Sequence, residues 1–400
     1  MCLFLKLNLH AEQSLITLFE HDNIGGNSVK TSGAIRTLKG FSSAALINEK
    51  WYSIYSSYWK NDLTYADTFT SSACQGTGVF ATRASPAITT ISQGQGCMKG
   101  SQYQNVWMYV IHELEAAITD CKAGIVGSHW DEAVAFYSGS LVLTNPTSSI
   151  GQFQYGLAEK RCTAFGTCTS TQSSLYKSAV NEKVYNLFAS GRSMQASFQC
   201  SAMETAKESL VKLFAVPLIQ GVIQYLYLSK TGGLEKSKAE LWSFAAAVLP
   251  LMNYYSPAAA KVLYENSYIL NVNTVPLGYA ETKTAMEGSY LAMGITCADV
   301  GGYVSSTEAS GYVAGLAPCT DARLAVGSGG GSTSSTPEES FYKSDLVNPR
   351  SLIIALAIFV ILFVVLLAFV ISYLSCHKVK KMREEKFLSS RDVDPAPAVV

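Results

Sequence analysis

Apolar side chains recur at helical intervals through the middle of the chain. Over residues 105–120, Val106, Tyr109, Val110, Leu114 and Ala117 fall at spacings of three and four, which predicts an amphipathic helix. The same spacing predicts helices over 130–143, 183–188, 202–214, 218–228, 234–249 and 257–270. Pro217 and Pro257 stand where a first helical turn tolerates proline, and Asn145-Pro146 and Gly232-Gly233 mark breaks. Alternation of period two is confined to short runs such as Gly78–Phe80. The pattern predicts a mainly α body.

The pattern changes near the C-terminus. Residues 351–375 carry no charged side chain, a run long enough to cross a hydrocarbon core of roughly 30 Å, and a helix is the form that satisfies its backbone there. Lys378, Lys380, Lys381 and Arg383 follow directly, whereas Lys343 and Arg350 on the other flank are balanced by acidic residues. The excess of positive charge predicts a cytosolic C-terminus and an external body. The expected organisation is an N-terminal segment over 1–40, a helical ectodomain over 41–325, a glycine–serine stalk over 326–350, the membrane helix over 351–375 and a basic cytosolic tail over 376–400. This topology requires an export signal. The opening apolar stretch is broken by Lys6, Asn8 and His10, so 1–40 reads as the remnant of such a signal or a misassigned start.

Composition adds exclusions. Lys plus Arg and Asp plus Glu are both 30, and 48% of residues are hydrophobic against 15% charged. That balance argues against a nucleic-acid binder and against wholesale disorder. Eight of the ten cysteines fall in the body, an even number that predicts disulfides in an exported domain. Cys162 with Cys168 and Cys297 with Cys319 are the expected bridges; free buried thiols are the other reading. A weak internal repeat matches 105–109 with 221–225 in apolar pattern, and Glu132 to Phe136 with Glu240 to Phe244. It implies two pseudo-symmetric lobes, about 41–180 and 181–325.

Enzyme signatures fail in turn. His112-Glu113 opens like a zinc-protease motif, but Ala116 stands where the second histidine belongs. No nucleophile elbow, dinucleotide fingerprint or phosphate-binding loop is present, so the expected function is not catalytic. What remains is a group rich in oxygen donors. Tyr109, His112 and Glu113 share one helix face; His129, Asp131, Glu132 and Tyr137 follow on the next helix. Each also has a structural reading: Tyr109 as core, Asp131 and Glu132 as first-turn carboxylates favoured by the helix dipole, His129 as a surface residue. His112 and His129 are the two histidines of the body, so carboxylates and phenolates dominate, and these suit a hard cation such as ferric iron. Arg161, with Lys160, is the candidate for an accompanying planar oxyanion, or a surface charge pair beside Cys162. In the second unit Tyr225 and Glu240 are candidates for a further site.

Several of these runs, in this order, resemble a known family. They are Asn105 to Glu115, His129 to Leu141, Leu157 to Cys168, Val216 to Gly221 and Gly294 to Gly302. They are similar to the algal iron-assimilation proteins, which include the phytotransferrins of diatoms and the low-iron-inducible periplasmic proteins of green algae. The resemblance spans about residues 50–320. It implies capture of ferric iron at the plasma membrane with carbonate as synergistic anion, and uptake by internalisation through endosomes. Endocytic machinery or a surface ferric reductase would be the partners. Ala133 and Val142 depart from the Gly and Glu of the family pattern, which puts one carboxylate contribution in doubt. The competing expectation is a surface adhesion ectodomain without metal; a degenerate hydrolase is weaker, because no nucleophile–base pair is visible.

Overall fold

The computed structural model describes residues 37–82, 84–85, 88–139, 153–169, 177–233 and 235–321. The expected stalk, membrane helix and tail, and nearly all of the N-terminal segment, lie outside the described residues. Those described are helical, with two isolated β-bridges and no strand among them. The run 78–80 forms a 3₁₀ turn rather than a strand. In chain order the helices are α1 (Lys50–Tyr58), α2 (Tyr65–Gln75), α3 (Thr90–Gly100), α4 (Trp107–Lys122), α5 (His129–Ser138), α6 (Gln154–Phe165), α7 (Ala179–Ala196), α8 (Cys200–Gly232), α9 (Glu235–Tyr255), α10 (Pro257–Ser267), α11 (Tyr279–Glu287), α12 (Tyr290–Met293) and α13 (Cys297–Val300).

The centre is the hairpin of α8 and α9, turned at Gly233, whose φ of 60° is a left-handed value that glycine adopts freely. Helices α4, α6 and α7 pack on α8, and α1, α3 and α10 pack on α9. The middle of α8, from Leu210 to Ile223, is buried nearly all round because partners surround it. By length and composition alone it is the one described helix that could cross a membrane, yet most of it is buried among its neighbours. A single contiguous hydrophobic core draws on both halves of the expected body.

Several elements differ from the periodicity. The stretches 202–214 and 218–228 are one helix, and Pro217 lies inside it, not in a first turn. Burial supplies enough packing to outweigh the hydrogen bond that proline removes. The short expectation at 183–188 is the middle of α7. The helix begun at 130 ends at Ser138, where Gly139 takes φ 69°. Ahead of α4, residues Ser101–Val106 form a wholly buried π-helical turn that joins α3 to α4. Inside it Asn105 donates to the Ala66 carbonyl and the Thr70 hydroxyl and accepts from Ser42, which anchors the turn to α2.

Among the described residues there are four disulfides. Cys162–Cys168 and Cys297–Cys319 are the expected pair; Cys74–Cys97 joins α2 to α3, and Cys121–Cys200 joins the end of α4 to the start of α8. Near the last of the expected bridges, Thr296 and Asp299 form a capping box at α13, and Lys183 of α7 donates to Asp299. Burial opposes ionisation of Asp299, but hydrogen bonds from Lys183 and Thr296 outweigh it and hold the carboxyl below its usual range. Asp299→Ala is expected to cost about 1 kcal/mol in urea unfolding at neutral pH. Because the folded-state pKa is depressed, this advantage is present above the ordinary carboxylate pKa and fades as pH falls through the lower, folded value. A wild-type-to-variant gap unchanged down to strongly acid pH would show that the carboxylate charge contributes nothing.

Candidate metal centre

Helices α4 and α5 pack against each other across a short loop, and their facing sides carry the chemistry. On α4, Trp107, Val110, Ile111, Leu114, Ala117 and Ile118 are buried at helical spacing, which leaves Glu113 directed at the neighbouring helix with 2% exposure. On α5, Trp130, Ala133 and Tyr137 form the buried stripe. Trp130 is fully buried, donates through Nε1 to the Phe188 carbonyl, and fills the space left by Gly191 of α7. That anchor sets the position of its neighbours His129 and Glu132.

The result is a three-residue group. One donor atom from each of Glu113, His129 and Glu132 lies within 4.8 Å of the others. His129 Nδ1 is 2.6 Å from Glu113 Oε2, and its Nε2 is 3.9 Å from Asp120 Oδ2. Glu132 accepts from Ser128 Oγ at 2.9 Å. Gly127 allows Asp120 this position, because a Cβ there would meet Asp120 Oδ2 at 2.1 Å. The donors are two carboxylates and one imidazole, with a third carboxylate, Asp120, at the edge, a set suited to a hard or borderline cation. The buried Glu113 carboxylate also fixes the ring orientation of His129 through Nδ1.

The other expected ligands are placed elsewhere. Tyr137 donates to Asn181 Oδ1 at 2.6 Å and stacks on Phe214; burial holds it as a neutral phenol, far from phenolate. Asp131 meets Arg192 at the surface. The Tyr109 ring stacks on Phe41 and meets Phe136 edge-on as part of the core. His112 turns away from Glu113 and bonds through Nδ1 to Glu49 at 2.7 Å. Burial alone would lower its pKa; the hydrogen bond it donates to Glu49 and the charges of Glu49, Glu113 and Glu115 raise it instead.

Arg161 lies with the second-unit candidates rather than at the Glu113 group. Its guanidinium donates to Gln224 and stands over the rings of Tyr225 and Phe244. Lys160 beside it is exposed. Burial first, then Glu240, keep Tyr225 protonated, with Arg161 opposing. Glu240 is already neutralised by Lys99 at 2.8 Å, both side chains largely buried, so a cation at Glu240 must displace an ammonium group. Lys99 was legible as the one charged residue between Arg83 and His112; Glu49, by contrast, carries no motif. At the paired positions of the two units, Tyr109 meets Phe136 edge-on at 4.9 Å, whereas Tyr225 stacks on Phe244 at 5.7 Å.

A family model described as Fea1, low iron-inducible periplasmic protein, matches residues 11–314. The chain belongs to this family. No match was found among curated proteins or solved structures. The family is an iron-related one, and the match begins well ahead of residue 40, inside the segment expected to lie outside the body.

Proposed function

We propose that this protein binds ferric iron at the cell surface, without catalysis, and delivers it by internalisation. The observation that carries the reading is the Glu113–His129–Glu132 group, with Asp120 at its edge, in a chain of a low-iron-inducible family. Three protein donors leave open positions around a ferric ion, and carbonate as a bidentate oxyanion suits them. With Arg161 engaged beside Tyr225, carbonate at this centre would be held by the metal itself. Protons compete with the metal for carboxylate, imidazole and carbonate alike, so affinity falls as pH falls. Capture outside and release in an acidified vesicle follow from that competition.

Titration of the full-length protein with ferric nitrilotriacetate, with and without bicarbonate, tests the reading. The wild type is expected to bind tightly and to melt at higher temperature when loaded. Glu113→Gln removes a ligand and is expected to weaken binding by about 100-fold or more, beyond the ~10–100-fold typical of outer-shell changes. Equal affinity in both conditions would remove carbonate from the mechanism. No iron-dependent rise in melting temperature would favour the adhesion reading.

A further inference from the structure

We infer that the cleft beside the Glu113 group holds a second, separate cation site built from Glu49 and His112. The inference rests on the reading of this chain as a metal binder. The cleft, of about 610 Å³, lies between one face of α4, the start of α1 and the first turns of α8. Five carboxylates and three lysines line it. Each lysine is committed to a carboxylate: Lys207 to Glu115, Lys50 to Glu208, and Lys122 to Glu204. Two carboxylates are left over, Glu49 and Asp120, and each faces a histidine: Glu49 meets His112 at 2.7 Å, and Asp120 approaches His129 at 3.9 Å. The first of these pairs is as built as the second, yet it lies outside the Glu113 group.

Glu49 supplies the observation that points to a ligand. Its residue exposure is 8%, and its Oε2 is buried with no hydrogen-bond partner. A buried carboxylate oxygen without a donor is costly, so this wall has an unmet demand for positive charge. The 2.7 Å between His112 Nδ1 and Glu49 Oε1 is close to the separation of two neighbouring ligand atoms on one small cation. A cation entering there replaces the shared proton, which passes to solvent, and takes Oε2 as its third donor. Two oxygens and one imidazole nitrogen suit a first-row transition-metal cation, ferric iron included. His112 and Glu113 are consecutive on α4, so the two sites lie on different sides of one helix. The stripe from His112 through Thr119 to Asp120 runs along the cleft at helical spacing, linking the outer site to the rim of the inner one.

Counting iron bound per full-length chain after loading with ferric nitrilotriacetate and gel filtration tests this. Two equivalents are expected on the wild type, and one on each of Glu49→Gln, His112→Gln and Glu113→Gln. Glu49→Gln keeps the volume and an acceptor for His112, and His112→Gln keeps a donor for Glu49, so either serves if the other melts early without metal. Wild-type stoichiometry retained by both cleft variants overturns the second site. One equivalent on the wild type, lost in Glu113→Gln and kept in Glu49→Gln, overturns the cleft site and leaves the inner centre standing. No iron on the wild type overturns both.

Discussion

Trp130→Ala should cost about 3–5 kcal/mol of stability and abolish tight iron binding together. Trp130 is wholly buried, and its Nε1 satisfies the Phe188 carbonyl at 2.9 Å, so truncation opens a cavity and orphans an acceptor. It stands between His129 and Glu132 in sequence, so loss of the anchor frees both ligands. The reciprocal change, Gly191→Ala, fills the same contact from the other side: the new Cβ would lie 1.8 Å from Trp130 Cζ2. Overpacking of that kind costs about 1–3 kcal/mol. Chemical denaturation and iron titration of Trp130→Phe, Gly191→Ala and the double variant check the account. The smaller ring should make room for the methyl, so the double variant should be more stable than the sum of the single changes implies. Strict additivity would mean that the two residues do not determine each other's position.

Opening the Cys121–Cys200 bridge by Cys121→Ser with Cys200→Ser should cost about 4.5 kcal/mol on the chain-entropy account, with about 2–5 the usual measured range. The bridge spans 79 residues, against 6 for Cys162–Cys168, and loop closure restricts the unfolded chain more for the longer span. It also joins the residue after Asp120 to the first residue of α8, so it clamps the cleft at its inner end. Thermal unfolding of this double variant beside Cys162→Ser with Cys168→Ser compares the two. A larger loss from the short bridge would show that local strain, not chain restriction, governs disulfide stability here.

Much of this architecture is legible along the chain, and the illegible part has physical causes. The helix at α4 is plain in the sequence because its buried residues keep a 3.6 period from Trp107 on. Its continuity with α3 is hidden, because a π-turn breaks that period at Ser101–Val106. Pro217 reads as a boundary by local preference, and only the packing around α8 makes it an interior residue. In the candidate site, Glu113, His129 and Glu132 are identifiable as donors by type, but their convergence depends on how Trp130 seats α5. Asp131 and Tyr137 sit close to those donors in sequence and point elsewhere, toward Arg192 and Asn181. Glu49 is the instructive absence: it reaches His112 across 63 residues, and no spacing rule covers a contact made by tertiary folding alone.

The π-turn ahead of α4 holds one residue more than an α-helical turn would. Each residue of a helix advances the side chains by about 100°, and His112 and Glu113 are one residue apart. The extra residue therefore decides which of the two meets Glu49 and which meets His129. An extra residue is ordinarily ruinous to a packed helix; here the buried π-turn absorbs one, and the placing of the candidate ligands depends on a residue count as well as on residue types.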